Sequence, residues 1–292
     1  MKAIFQLTKR NLWMFFRNKT EVFFSFLSVL IILGLYILFL SDLNVNNVIA
    51  SIGREVDGIR VLINSWVMAG LIAVSTVTIS IGSLSLMVLD RQRKVFYDFL
   101  VAPIKRHELF LSYILSTLTI VIMISMTILM IAQVYILVSG GVFFEWLDWV
   151  KIILIILLLS VSSTMMMLFF ISFIDNASAL STIGTIVGTL IGFVTGAYIP
   201  MGVLPKPIQV FSNLLPVSQG ASLLRNIFVR SPLKTVFDQA PEEVVESYRK
   251  FQGIDLYIYD FKLDVNMMIL YILIATLIFL FLNVLRFRKM KN

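Results

Sequence analysis

Two apolar runs constrain this chain more than any other feature. Val61–Leu89 and Leu109–Val138 extend over 29 and 30 residues without one charged side chain. A helix needs about 20 apolar residues to cross the hydrocarbon of a bilayer. At about 1.5 Å per residue, each run reaches about 45 Å. Both are therefore expected to project beyond the lipid as two arms of a helical hairpin. The stretch between them, Asp90–Glu108, reads DRQRKVFYDFLVAPIKRHE and forms the tip. Arg91, Arg93, Lys94, Lys105 and Arg106 assign that tip to the cytoplasm. Phe96, Tyr97, Phe99 and Leu100 sit at i, i+1, i+3 and i+4, which gives a short helix one apolar face. Such a face suits docking on a partner protein. It equally suits a helix lying flat on anionic lipid.

The rest of the chain agrees with a membrane protein. Of its 292 residues, 59% are hydrophobic, and the mean hydropathy is +0.95. No soluble domain of this size is so apolar. Six runs are long enough to span: Val22–Leu40, Val61–Leu89, Leu109–Val138, Ile152–Phe173, Ala177–Ile199 and Val265–Leu285. The first follows a basic segment and lacks a small-residue cleavage site, so it reads as a retained helix. Six spans put both termini on one side. That side holds 14 Lys and Arg against 5 acidic residues, and the other holds 10 against 12. The positive-inside rule then places both termini in the cytoplasm of a cell membrane. Membrane orientation accounts for the net charge of +7, and nothing calls for a nucleic-acid partner. The chain has no cysteine, which excludes disulfides, iron–sulfur clusters and cysteine–zinc sites.

Residues 1–19 read as an amphipathic interfacial helix, with Ile4, Leu7, Leu12, Phe15 and Phe16 opposed to Lys2, Lys9, Arg10 and Arg17. Ser139-Gly140-Gly141 ends the third span, followed by a belt of Phe143, Phe144, Trp146 and Trp149. Asp175-Asn176 is a short turn that makes spans four and five antiparallel neighbours. Span five carries Gly184, Gly188, Gly192 and Gly196, one every four residues. Small residues at that spacing let helices approach closely. The seam packs either within one subunit or against a second copy or a moving helix. Residues 200–264 form the outer region. There Ile208–Leu215 and Val217–Val229 are each too short to span, and Pro205 and Pro216 break the chain before them. They read as re-entrant half-helices covered by protein or a cavity, or as surface amphipathic helices. Glu242, Glu243, Glu246, Tyr248 and Arg249 mark a short outer helix.

Much chemistry is missing. None of the six runs holds Asp, Glu, Lys, Arg or His, so the chain has no intramembrane proton relay. The one histidine, His107, lies at the hairpin tip. Thr76, Ser80 and Ser83, and Thr185, Thr189 and Thr195, have no buried base to activate them. They are expected to bond helix carbonyls, with substrate contact the alternative. Met165, Met166 and Met167 read as adaptable packing. No G-x-x-x-x-G-K-[ST] loop occurs, so the chain binds no ATP by a P-loop.

Two stretches carry a resemblance. Leu89-Asp-Arg-Gln-Arg-Lys with Phe99-Leu-Val-Ala-Pro103 is similar to an acidic-Arg-x-x-Gly-Thr…Leu-Leu-x-x-Pro pattern, with Lys94-Val95 replacing Gly-Thr. Gly196…Pro200…Leu204-Pro205, Leu215-Pro216 and Leu223-Leu224-Arg225 is similar to the stretch after span five in the same family. Together they resemble the permease subunits of ABC-2 type transporters. The resemblance implies a single all-α membrane domain over residues 1–292: an interfacial helix, six spans, a cytoplasmic coupling helix within 90–108 and re-entrant half-helices before the last span. It implies no catalysis by this chain and no cofactor of its own, with ATP and magnesium held by a partner. The implied partners are two ATPase subunits, a second permease copy and membrane lipid. Arg91, Arg93, Phe96, Tyr97, Phe99, Leu100 and Pro103 would then meet the ATPase. Tyr198, Pro200, Pro205 and Pro216 would form an outer gate, and spans two and five would line the pathway. An uncharged pathway suits an amphipathic cargo: a drug, a toxin or haemolysin, a lipid or a lipid-linked glycan. An ion-coupled transporter or channel, and a membrane acyltransferase, are the readings that need no ATPase.

Overall fold

The computed structural model describes residues 2–20, 22, 23, 26, 34, 36, 45, 46, 48, 49, 56–95, 99, 101, 104–259 and 261–289. Within them the helices are α1 (Lys2–Arg17), α2 (Ile59–Gln92), α3 (Arg106–Val138), α4 (Trp146–Ile171), α5 (Ala177–Val194), α6 (Lys206–Asn213), α7 (Pro216–Phe228), α8 (Arg230–Val236), α9 (Glu242–Phe251) and α10 (Val265–Lys289). A two-stranded antiparallel hairpin, β1 (Tyr257–Ile258) and β2 (Phe261–Lys262), precedes α10. Five of these helices, α2 to α5 and α10, are long and apolar enough to cross a membrane. The expected first span, Val22–Leu40, lies outside the described residues apart from isolated positions.

The hub is α2. It packs against α3, α4, α5 and α7, and 78% of its most apolar window is buried. A helix that is apolar or small on every side is built to be surrounded. Span two was expected to line a pathway between copies; its burial leaves little of its surface free for that. Within the membrane, apolar burial gives helices no preference for each other over lipid, so packing and polar contacts hold them. The Thr76 and Ser163 hydroxyls lie 2.8 Å apart, those of Ser80 and Thr164 3.4 Å, and Ser83 donates to Thr117 at 3.0 Å. Each such bond is worth about 0.6 kcal/mol. They tie α2 to α4 and α3. Thr185, Thr189 and Thr195 donate to the carbonyls four residues before them, at 2.9, 2.8 and 2.7 Å. Met165, Met166 and Met167 are buried core residues.

Two span boundaries differ from the sequence reading. Helix α4 starts at Trp146 rather than Ile152, so Trp146 and Trp149 belong to its first turn and not to a loop. Its buried Asp148 is paired with Arg230 of α8, which makes the early start tolerable. Helix α5 stops at Val194, five residues before Ile199. Gly196 adopts φ +66°, its N–H bonds Phe193 O at 3.0 Å, and the Ala197 N–H bonds Gly192 O at 2.8 Å. That is a Schellman stop, which favours glycine at its left-handed residue.

Beyond α5 the chain builds a cap on the end of the bundle opposite α1. Proline opens both short helices, Pro207 in α6 and Pro216 in α7, where a missing N–H costs nothing. The two then diverge. Helix α6 exposes Ile208 and Phe211, and Leu214 just after it is also exposed, whereas α7 is buried from Pro216 to Arg225 against α2, α4 and α10. At 13 residues, α7 is about 20 Å long and too short to span.

Candidate functional site

The end of α2 nearest α1 is a junction of three consecutive residues. Asp90 is 3% exposed and accepts three hydrogen bonds. Two come from the Arg10 guanidinium, at 2.8 and 2.9 Å, and one from the Tyr113 hydroxyl at 2.6 Å. The bond to Asp90 outweighs burial and raises the pKa of Arg10, so this cation stays charged. Asn11 donates to Ser116 at 3.4 Å beside it. Asp90 therefore fastens the amphipathic helix α1 and the arm α3 to the tip of α2.

Arg91 points the other way. It donates to the Ser172 carbonyl at 3.1 Å and lies 3.8 Å from the Asp175 carboxylate, with its side chain 8% exposed. Gln92 Oε1 accepts from Ala177 N at 2.9 Å, at the start of α5. A partner-facing charge was expected at Arg91, but the side chain is turned inward to the α4–α5 turn. Arg93 is exposed and closes α2, and Lys94 turns the chain with φ 63°. Phe99 is half-buried, with the Arg10 guanidinium carbon 5.1 Å from its ring centroid, so part of its aromatic face is covered by α1. Phe96, Tyr97, Leu100 and Pro103 lie outside the described residues.

At the opposite end of the bundle the organising side chain is Arg225 of α7, which is 0% exposed. It donates to three carbonyls: Gly196 at 2.6 Å, Gly253 at 3.2 Å and Thr195 at 3.4 Å. Its guanidinium carbon lies 4.7 Å from the Trp66 ring centroid, and Trp66 donates to the Gln252 carbonyl at 2.7 Å. Burial pushes the Arg225 pKa down to about 9, so it remains a cation at neutral pH, held by carbonyl dipoles. One side chain thus joins α2, the end of α5, α7 and the segment after α9.

The four glycines of the seam have separate environments. Gly184 faces Ile81 of α2, whose methyl is 3.5 Å from where a Cβ would sit. Gly192 lies under the ring of Tyr198, which would be 2.0 Å from an added Cβ. Gly188 has nothing within 4 Å of that position. Gly196 is the helix stop and not part of the helical seam. Three of the four therefore serve their own chain. Tyr198 folds back over α5, and its hydroxyl donates to the Gly188 carbonyl at 3.4 Å. Pro200 is buried ahead of a 3-10 turn at Met201–Val203, and Pro205 and Pro216 lead into α6 and α7.

Sequence reasoning missed Arg10, Tyr113, Gln92 and Arg225 as joining residues. Arg225 was visible only as part of a motif. Nothing in a linear sequence pairs Arg10 with an aspartate 80 positions away. No cluster of three or more His, Cys, Asp and Glu that could hold a metal occurs among the described residues. No curated protein matches the chain. A family model described as ABC-2 type transporter matches residues 2–229. That match covers both joined ends of α2, and it extends over most of the chain: this protein belongs to the ABC-2 type transporter family, as a multi-pass membrane permease.

Proposed function

We propose that this chain is the transmembrane subunit of an ATP-driven exporter. Two copies pair, and each carries one ATPase subunit that binds ATP and magnesium. Both termini lie in the cytoplasm. The observation that carries the reading is the junction at Asp90, Arg91 and Gln92, which ties the hairpin tip to α1, α3 and the α4–α5 turn at once. A push that reaches Asp90–Gln92 acts on all of these contacts together. It must move α2 and everything fastened to it. The pathway forms along α5, whose outer face leaves Thr182, Thr185, Ile186, Thr189, Leu190 and Phe193 exposed, and an added copy covers that face. Helices α6 and α7 act as re-entrant half-helices and, with Tyr198, Pro200, Pro205 and Pro216, close the outer end. A pathway of threonine hydroxyls and apolar side chains suits an amphipathic cargo such as a drug, haemolysin or lipid-linked molecule.

The test is co-purification of the ATPase with Phe96→Ala, Tyr97→Ala and Arg93→Ala variants, followed by transport. An interface anchor cut to alanine costs about 2 kcal/mol or more, a loss of about 30-fold in affinity. Arg93 should matter less, since rim charges mainly steer association. Full ATPase retention and full transport in both aromatic variants would refute the coupling assignment. Dominance of Arg93, with binding sensitive to anionic lipid, would support a lipid-surface role for the tip instead.

A further inference from the structure

The α1 end of the bundle holds a groove of about 690 Å³ between α4 and α5. Helix α5 packs on α2 but hardly on α4, so a gap separates the two spans beyond the short turn that joins them. Ile81 of α2 forms the floor. Met167 and Phe170 of α4 form one wall, and Ala179, Ile183 and Val187 of α5 form the other. Those three stand four residues apart and so share one side of their helix. Phe170 and Ile183 are exposed at the rim, whereas Met167 and Ile81 are buried at the base.

The depth of the groove follows from its walls. Residues 172–176 turn the chain between two spans, and the Asp175 side chain is 86% exposed, so the turn stands at a membrane face. From Ala179 to Val187 the groove runs inward about 12 Å, close to the hydrocarbon of one leaflet, about 15 Å. Water gains nothing there, because a buried water needs several polar partners. The polar groups at the turn are engaged: Asn176 Oδ1 accepts from Ala179 N at 2.7 Å, and Asp175 lies 3.8 Å from Arg91. An empty gap would forfeit the dispersion contacts of its lining. Hydrocarbon is what a bilayer supplies at that depth. The mouth also carries charge. Phe173 belongs to the lining, and the Arg286 guanidinium carbon lies 4.4 Å from its ring centroid. Arg91 and Asp175 offset each other, so Arg286 leaves the mouth net positive. An anionic head group complements it.

We propose that this groove binds one acyl chain of an anionic bilayer lipid from the leaflet beside α1, with the lipid phosphate at Arg286. The acyl chain gives α5 the packing along α4 that the protein itself does not supply. The proposal needs the protein's placement in a bilayer and does not depend on an ATPase.

The experiment is photolabelling of the purified full chain in lipid nanodiscs. The probes are phosphatidylglycerol and phosphatidylcholine, each with a diazirine midway along an acyl chain, and mass spectrometry maps the labelled residues. The phosphatidylglycerol probe should label Met167 and Ile81, which are buried from lipid at the outer surface, as well as the exposed Leu277 of α10. Ile183→Trp fills the groove and should remove the label from Met167 and Ile81 while Leu277 stays labelled. Arg286→Gln should lower phosphatidylglycerol labelling in the groove about tenfold, the effect of losing one charge-assisted hydrogen bond, to the level of the phosphatidylcholine probe. No label on Met167 or Ile81 in the unaltered protein would overturn the proposal, since protein, from the first span or a second copy, would then fill the gap. Groove labelling unchanged by Ile183→Trp would overturn it as well. Equal groove labelling by the two probes in the unaltered protein would overturn the anionic head group.

Discussion

Replacing Asp90 by asparagine should loosen α1 from the bundle. The substitution keeps the shape of the side chain but removes its charge and one of its two acceptor oxygens. Arg10 then loses at least one of its bonds, now 2.8 and 2.9 Å, and the Tyr113 hydroxyl competes for the oxygen that remains. Removing one partner of a buried ion pair costs about 3–5 kcal/mol. The Arg10 side chain is still 28% exposed and regains water when released, so about 2 kcal/mol is the better figure. That corresponds to about 30-fold in the opening equilibrium of α1. Hydrogen exchange of the α1 amides, on protein held in lipid nanodiscs, measures it directly. Protection of α1 should fall by that factor while the amides of α4 are unaffected. Tyr113→Phe removes one hydrogen bond and leaves the ion pair, so it should cost only about 1 kcal/mol. Arg10→Lys keeps the charge but loses the two-pronged geometry, so it should fall between the two. Alpha-helix 1 protection unchanged in Asp90→Asn would show that the junction does not hold α1, and the proposed route from tip to bundle would fail with it.

Three further outcomes follow from the geometry. Gly192→Ala places a methyl inside the Tyr198 ring and should destabilise by about 1–3 kcal/mol, with Tyr198→Ala restoring much of the loss; Gly188→Ala has open space and should be neutral by thermal unfolding. Arg225→Met leaves the carbonyls of Thr195, Gly196 and Gly253 without their donor, and each unsatisfied group costs about 1–3 kcal/mol, so the cap should become protease-sensitive while α1 exchange stays unchanged. Burial alone would raise the pKa of Asp255, but its bonds to Arg249 and Lys262 win and lower it below 3.8. A depressed carboxylate contributes stability that is fully present above its ordinary value and is lost as pH falls through the lower, folded one. Protection of the α9 amides, relative to the intrinsic rate at each pH, should therefore hold constant from pH 7 to about 4 and fall only below that; loss of protection between pH 7 and 5 would contradict the assignment.

The membrane helices were legible because hydrocarbon imposes one simple demand, an uncharged run of sufficient length. Val61–Leu89 and Leu109–Val138 met it so clearly that α2 exceeds the first by two and three residues at its ends, and α3 exceeds the second by three at its start and stops with it at Val138. Charged residues at those ends were the difficulty. Asp148 and Asp90 extend α4 and α2 because each finds a cation on a distant segment, Arg230 and Arg10. A partner 80 residues away leaves no periodic trace. The glycine seam shows the opposite failure. Its four-residue spacing suggested one continuous face, but Gly196 serves a turn and Gly192 serves the chain's own tyrosine. Spacing records where small residues are needed and not what approaches them. Thr185, Thr189 and Thr195, with Thr76 and Ser80, bond helix carbonyls as expected, whereas Ser83 donates to the Thr117 hydroxyl on α3, a partner that spacing along one helix does not reveal. The cap's hairpin was not foreseen, because two-residue strands carry no alternation.

The two joined ends of α2 bear on how a push at the tip could reach the far side. Helix α2 has 34 residues, about 51 Å of continuous backbone, and is packed on nearly all sides, so it moves as a rod or not at all. The hydroxyl pairs at Thr76, Ser80 and Ser83 lock α3 and α4 to it. Helix α5 is attached differently. Only 17% of its most apolar window is buried. Its first turn is held by Gln92, and its last carbonyls by Arg225, which rests on Trp66. Both anchors belong to or sit on α2, while the middle of α5 carries open space at Gly188. A tilt of the rod therefore moves both ends of α5 together and leaves its middle free to part from a neighbour. On the proposed reading that neighbour is the second copy, and the separation is the opening of the pathway. Because Arg225 also grips Gly253, the same tilt pulls on the cap. Opening between copies and release at the outer end would then be one motion, set by a single cation and not by two independent gates.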